Sequence, residues 1–515
     1  MLFALLAAAV PALAQQPLPT VTVLVLPFDN RARTPNMEWI AESFPEVFAQ
    51  RFTTAGSVFP ISRADRRYAF DRLGIPVNLR ASRATLYRIA EQLDADYVVL
   101  GDYSSDGQTV TANAQVLDMR ALRLEAPLTQ TGPLSSLLQV ESALAFDVLM
   151  KIQPESPVSR DSILNGAGSL RLDAFENYIR GIVAGSHEEK LQRFREAVRL
   201  DPQYAAALLH LGRAYYEVHQ YEQAVEWLGR VPPTDAPAGE AHFLMGLSEY
   251  MLGQFEKAEA DFQAVLDRVP LPEVENNLGA AALRLRGREA IAHLERALEA
   301  DRRDSDYRFN LALAQVQSGD SAAAGRNLRE LLGREPNDPE ARQLLDSLPT
   351  ISSASAHLPQ PRLKLNYDES SYRAIELEMR NAAEQSLANA SPEQRAAYHT
   401  QRGHDLLSRD LLAPAEDEFR QAVSSDANSA EAHAGLARIA ELRHQPAAAR
   451  TEAESSLRLR ANPEALLVLA RLDLADGRLD DAERELRQAS DLDPANPALA
   501  DVQRELESHR TAAPH

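Results

Sequence analysis

The sequence predicts an α+β chain, in which an N-terminal α/β domain is followed by an all-α solenoid in two blocks. Three observations carry that reading. Residues 20–152 alternate β-branched runs with amphipathic helical stretches. Beyond residue 170 the chain repeats itself with a period of about 34 residues, the length of one helix pair. Between two stretches of such repeats, Leu348 to Pro361 is rich in Ser, Pro and Ala, the composition of a linker. The expected boundaries are 20–152 for the α/β domain, 171–348 for about five repeats with a capping helix, 349–370 for a linker, and 371–510 for a helix followed by about three repeats with their own cap.

The first segment, Met1 to Gln16, reads MLFALLAAAVPALAQQ and ends in Ala12-Leu13-Ala14, the small-x-small pattern that signal peptidase cleaves. A signal peptide over 1–14, cut after Ala14, is therefore expected, although no basic residue precedes the apolar run. The run falls short of the roughly 20 residues needed to span a bilayer. A periplasmic protein without a direct membrane span is the expectation, and a cytoplasmic one the alternative.

In the α/β region Thr20 to Leu26 reads as a strand closed by Pro27, and Met37 to Thr53 as a helix that Pro45 should distort or restart. Val58 to Ile61 reads as a strand, and Arg83 to Leu93 as a second helix with Leu86, Ile89, Ala90 and Leu93 on its apolar face. Tyr97 to Gly101 and Thr109 to Leu117 form strands around an Asp106-Gly107 turn, a hairpin signal. Leu134 to Ile152 is helical. The stretches Leu26-Pro27-Phe28-Asp29-Asn30, Ala95-Asp96-Tyr97-Val98-Val99-Leu100-Gly101 and Ala114-Gln115-Val116-Leu117-Asp118 together resemble the TolB amino-terminal-like domain, related to the FlgO and CsgG envelope modules. Here Met119-Arg120-Ala121-Leu122 follows Asp118, where that family often has a Thr-Gly turn.

The repeats can be put in register. The unit from Ala205 to Ala238 places Leu211, Gly212, Tyr215, Ala224 and Leu228 where that from Gly239 to Pro272 places Met245, Gly246, Ala258, Phe262 and Pro270. The units Ser305 to Asp338 and Pro463 to Asn496 follow the same code, and weaker units begin near 174, 272, 396 and 430. Small residues at positions 8, 20 and 27 let paired helices approach, while large ones at 7, 11 and 24 fill the space to the next pair. Gly253, Gly319 and Gly477 all stand at position 15, where a left-handed residue ends the first helix. This pattern resembles the tetratricopeptide repeat, eight units in blocks of five and three.

Composition narrows the chemistry. With 75 acidic residues against 54 Lys and Arg the net charge is −21, which opposes binding to nucleic acid or anionic membranes. The absence of cysteine removes disulfides, thiolate metal sites and cysteine nucleophiles. No phosphate-binding loop, dinucleotide fingerprint, HExxH or GxSxG sequence occurs, so no catalytic residue, cofactor or metal is assigned. Asp29, Asn30 and Asp102 at strand ends are the sole candidates for a hidden enzyme.

What remains is a surface. The tetratricopeptide resemblance implies that positions 2, 5, 6, 9, 12 and 13 of each unit line a concave groove. They hold His210, Arg213 and Tyr216, then Phe243 and Tyr250, then Asn276 and Asn277, then Phe309 and Asn310. Aromatic side chains give contact area at low entropic cost, and Asn amides can hold an extended peptide backbone. Asn277 and Asn310 are similar to the peptide-holding Asn of some family members. Apart from Arg213 and Arg284 the groove lacks the basic residues of the carboxylate clamp found in chaperone-binding relatives. The expected function is an exported, non-enzymatic scaffold binding a protein or extended peptide in bacterial envelope assembly. A cytoplasmic regulatory sensor working with a signalling partner is the alternative.

Overall fold

The computed structural model describes residues 19–75, 82–165, 170–287, 289–349, 358–387, 390–408 and 411–512. The expected signal peptide, 1–14, lies outside them. The chain divides into two compact units. One comprises Met1–His219, Arg230–Pro232 and Ser370–Ala383, and the other Gln220–Gly229, Pro233–Glu369 and Glu384–His515.

The first unit begins with a seven-stranded sheet. Its strands are β1 (Val21–Val25), β2 (Asp29–Asn30), β3 (Val58–Pro60), β4 (Tyr97–Ser105), β5 (Thr109–Asp118), β6 (Arg123–Leu124) and β7 (Leu128–Pro133). β3, β1 and β4 run parallel, with Val23 opposite both Pro60 and Tyr97. β5 then returns antiparallel along β4, from Tyr97 opposite Asp118 to Ser105 opposite Val110. The turn between them is tied by Asp106 Oδ1, which accepts from the backbone N–H groups of Gln108 and Thr109 at 2.9 and 2.7 Å. Gly107 between them has φ +91°, open to glycine at no steric cost.

Helices cover both faces of this mixed sheet, whose parallel strands β3, β1 and β4 need cover on each side. α2 (Arg63–Arg72) and α3 (Arg83–Gln92) supply Phe70, Leu86 and Ile89 to a core with Leu24, Val98 and Leu117. On the other face lie α1 (Ile40–Thr53) and α4 (Leu137–Ile152). The Phe28 ring stacks on Phe44 at 4.0 Å, and a Cβ on Gly101 would lie 2.2 Å from Phe28, so the strand residue beneath that ring must be glycine. Pro45 sits inside α1 without ending it. α2 escapes the hydrophobic pattern because its sequence, RADRRYAFDR, buries Arg66, Ala69 and Phe70 only; its start is set by Ser62, whose hydroxyl accepts from Asp65 N at 3.1 Å.

Beyond this region the described residues form seven packed helix pairs, Leu172–Val183 with His187–Leu200 in the first unit and six in the second, three before residue 339 and three after 391; helices Ala205–Glu217 and Tyr221–Leu228 belong to different units, and single helices Pro339–Ser347 and Leu499–Ala512 follow the two sets. The packing code acts as its residue sizes dictate. A Cβ added to Gly246 would meet Phe262 at 2.7 Å, one on Gly279 would meet Leu294 at 2.6 Å, and one on Gly403 would meet Phe419 at 2.7 Å. In six units position 15 is left-handed whatever its side chain: His219, Arg286 and His444 have φ of 60°, 57° and 56°, beside 74°, 92° and 74° at Gly253, Gly319 and Gly477. A polar latch recurs within the pairs. His242 bonds Asp261, His399 bonds Glu418 and His433 bonds Glu452, at 2.7, 2.8 and 2.6 Å, each joining the fourth residue of a unit to its twenty-third. Three histidines thus serve helix pairing, and among the described residues no cluster of three metal-ligating side chains exists.

Candidate peptide-binding groove

In the second unit, the first helices of three successive pairs, Ala238–Met251, Pro272–Leu285 and Ser305–Ser318, carry the predicted groove residues from Phe243 to Asn310. An extended stretch of the same chain, Leu358 to Asp368, which forms part of the expected linker, runs along them. Its Pro359 and Pro361 favour extended backbone.

Two asparagines hold this stretch by its main chain. The Asn310 side chain accepts from Arg362 N–H at 2.8 Å and donates to Arg362 C=O at 2.7 Å. One repeat earlier, Asn277 does the same to Lys364, accepting from its N–H at 2.7 Å and donating to its C=O at 2.8 Å. Asn276 joins the two clamps: it donates to Arg362 C=O at 2.9 Å and to Asn277 Oδ1 at 3.2 Å, and accepts from Asn310 at 2.8 Å. All three asparagines are fully buried. In an extended chain the N–H and C=O of one residue point the same way, and alternate residues share a face. Two amides therefore grip residues i and i+2.

The side chains add charge and ring contacts. Arg362 lies over the Phe309 ring at 3.9 Å and reaches Asp338 and Glu340, each at 2.9 Å. Lys364 Nζ is 2.7 Å from both Asp304 and Asp306. Asp304 and Asp338 are also N-caps, holding Tyr307 N and Ala341 N at 3.0 and 2.9 Å, so the residues that start successive helices also receive the basic side chains. Burial works against the charge of Arg362, but Asp338 and Glu340 outweigh it and hold its pKa above the ordinary value. Lys364 is raised likewise by Asp304 and Asp306 against its burial. Further along, the Tyr367 ring meets Phe243 at 5.4 Å, and a Cβ on Gly239 would lie 2.3 Å from the Tyr367 hydroxyl. At the other end Arg284 bonds Gln360, and its guanidinium lies 4.5 Å from the Phe255 ring centre. The stretch thus runs from later repeats towards earlier ones.

Of the nine groove residues named from sequence, five contact this stretch: Phe243, Asn276, Asn277, Phe309 and Asn310. Tyr250 is buried against Phe255, the ring that Arg284 covers. Arg213 and Tyr216 belong to the first unit, on helix Ala205–Glu217. There His210 lies 5.4 Å from Tyr178 and 5.5 Å from Phe194, and burial and then Arg213 lower its pKa. Tyr178 donates to Glu46 of α1 at 2.8 Å, so within the first unit the α/β region packs on helix Leu172–Val183 beside these residues. The enzyme candidates serve the loops: Asp102 pairs with Arg31 at 2.7 Å and accepts from Asn113 at 2.9 Å, and Asn30 Oδ1 accepts from Arg33 N at 2.9 Å. Sequence reasoning missed Asp304, Asp306, Asp338 and Glu340. Their signal was the acidic cap at the head of consecutive units.

No curated protein matches the chain. Among solved structures, MamA from Desulfovibrio magneticus is 20% identical over 33% of this chain and 99% of its own, with a TM-score of 0.31. A tetratricopeptide repeat protein from Parabacteroides merdae is 12% identical over 65% of this chain and 99% of its own, with a TM-score of 0.30. The C-terminal domain of LpoB from Salmonella enterica is 17% identical over 23% and 87%, with a TM-score of 0.20. Tetratricopeptide repeat families match residues 184–248 and 286–348, and 240–271. The chain therefore carries tetratricopeptide repeats over 184–271 and 286–348, ranges that take in the groove helices Ala238–Met251 and Ser305–Ser318 but not Pro272–Leu285 between them.

Proposed function

We propose that this chain is an exported, non-enzymatic adaptor that holds extended peptides of protein partners in the groove between Gly239 and Glu340 and acts in assembly of the bacterial envelope. The observation that carries the reading is the pair of Asn clamps, which bind backbone N–H and C=O groups and so accept an extended chain irrespective of its sequence. Tetratricopeptide repeats support a protein-interaction scaffold, because stacked pairs offer a long surface built from local contacts. The α/β region, read as TolB amino-terminal-like, would dock a second partner. Export rests on the Met1–Gln16 pattern, and among the described residues no helix is long and apolar enough to cross a membrane.

The test has two arms. Cells producing the full chain are fractionated and the mature N-terminus is read by mass spectrometry: a periplasmic product starting at Gln15 is expected, and an uncleaved cytoplasmic one would refute export. From the same fraction, partners captured by the wild type should be lost with Phe309→Ala/Asn310→Ala while helicity is unchanged. Undiminished capture would move the binding surface elsewhere.

A further inference from the structure

The groove is already filled, and its occupant defines what else fits. We propose that Leu358–Asp368 is a resident stand-in for the true ligand, and that the groove takes an extended peptide with basic residues at i and i+2 and an aromatic residue at i+5. This inference rests on the adaptor reading and narrows it to one class of partner segment.

Each part of the motif answers to a feature of the groove. The residues at i and i+2, Arg362 and Lys364, place their backbones on Asn310 and Asn277 and their cations among Asp304, Asp306, Asp338 and Glu340. Arg362 adds the face of Phe309, a cation–π contact that an acidic or aliphatic residue cannot make. The residue at i+5, Tyr367, rests on Phe243 over Gly239, which has no side chain to obstruct its hydroxyl. The intervening Leu365 is 62% exposed, and Asn366 is exposed too, so the groove leaves these places unspecified. In a chain of net charge −21 with four lysines, a basic pair set against four carboxylates is local complementarity rather than general composition.

The resident stretch is also built to leave. It belongs to no helix pair, and the contacts that join the two helices of a pair, such as Gly246 with Phe262 and Gly279 with Leu294, do not involve it. Two of its ion-pair partners, Asp306 and Glu340, have side chains 35% and 53% exposed, where water and salt screen the attraction. Tethering adds to its hold, since an attached segment competes at an effective concentration on the order of millimolar. A partner peptide of the same chemistry must outcompete it.

The experiment uses the full chain in two forms, wild type and Arg362→Glu/Lys364→Glu, which sets acid against acid and vacates the groove; Arg362→Ala/Lys364→Ala serves as a milder opening should the first variant lose helicity. The probes are a labelled peptide of residues 358–368 and the same peptide with both basic residues changed to Glu, followed by fluorescence anisotropy. The opened chain should bind the basic peptide at least about tenfold more tightly than the wild type does, as removal of a tethered competitor requires. It should also prefer the basic over the acidic peptide by about tenfold or more, and lose binding with Asn277→Ala/Asn310→Ala. Equal binding of both peptides would overturn the ligand class while leaving a peptide-binding adaptor intact. Equal affinity of wild-type and opened chains would overturn the resident-competitor role. No binding of either peptide to a folded, opened chain would refute this inference together with the groove as the adaptor's site.

Discussion

Glu141 shows what one buried carboxyl does in this molecule. It lies fully buried on α4, bonded to Ser43 of α1, with its second oxygen unpartnered. Burial pushes its pKa from 4.5 to about 8, against the opposing pulls of Ser43 and Arg51. A carboxyl whose folded pKa is raised stabilises the fold most below its unfolded value, and that stability is lost as pH climbs through the folded one. The wild type should therefore lose stability between about pH 4.5 and 8 relative to Glu141→Gln, which stays neutral. Thermal unfolding of both proteins at pH 5 and 8.5 checks this: the variant's Tm relative to wild type should rise with pH, and parallel profiles would contradict it. At the same scale, Asn277 and Asn310 are legible in the sequence itself, because the repeat register places them at one position of successive units. Arg213 and Tyr216 obey the same register, yet they lie in the unit where Glu46 and Tyr178 meet. Register reports helix faces, and which face a neighbouring region covers is a tertiary fact.

At the scale of elements, the helix pairs are readable because their packing is short-range: Gly246 and Phe262 belong to one unit, and only a glycine there leaves the ring its place. Gly246→Ala should cost about 1–3 kcal/mol through overpacking. Gly333, in helix Ser321–Arg334, would place a Cβ in open space, so Gly333→Ala should be neutral or stabilising by up to about 1 kcal/mol. Urea unfolding of the two variants separates the cases, and equal effects would refute the packing code. The segment at 358–368 is not readable in this way. Its Pro and Ser-rich surroundings signal a linker, and the asparagines that clamp it lie 52 to 87 residues upstream. The alternation Arg362-Leu363-Lys364-Leu365 is the available clue, that of a strand, with no sheet in sequence reach to receive it.

For the molecule as a whole, the division into units shows where cooperativity lies. The first unit joins the α/β region to the opening repeat: the Trp39 ring lies 6.2 Å from Phe175, and Arg180 donates to Asn36 C=O at 2.8 Å. Phe175→Ala should cost about 3–5 kcal/mol, and hydrogen exchange should quicken in both α1 and helix Leu172–Val183. Faster exchange confined to 172–183 would mean that the α/β region folds without the repeat. In the second unit the central claim is that two buried amides hold an extended chain. Hydrogen–deuterium exchange of the intact protein tests it most directly, read at the Arg362 and Lys364 amides. Both should be protected in the wild type and exchange at the rate of an open chain in Asn277→Ala/Asn310→Ala, with the helices at 272–285 and 305–318 unchanged. Open-chain exchange at those two amides in the wild type would contradict the clamp.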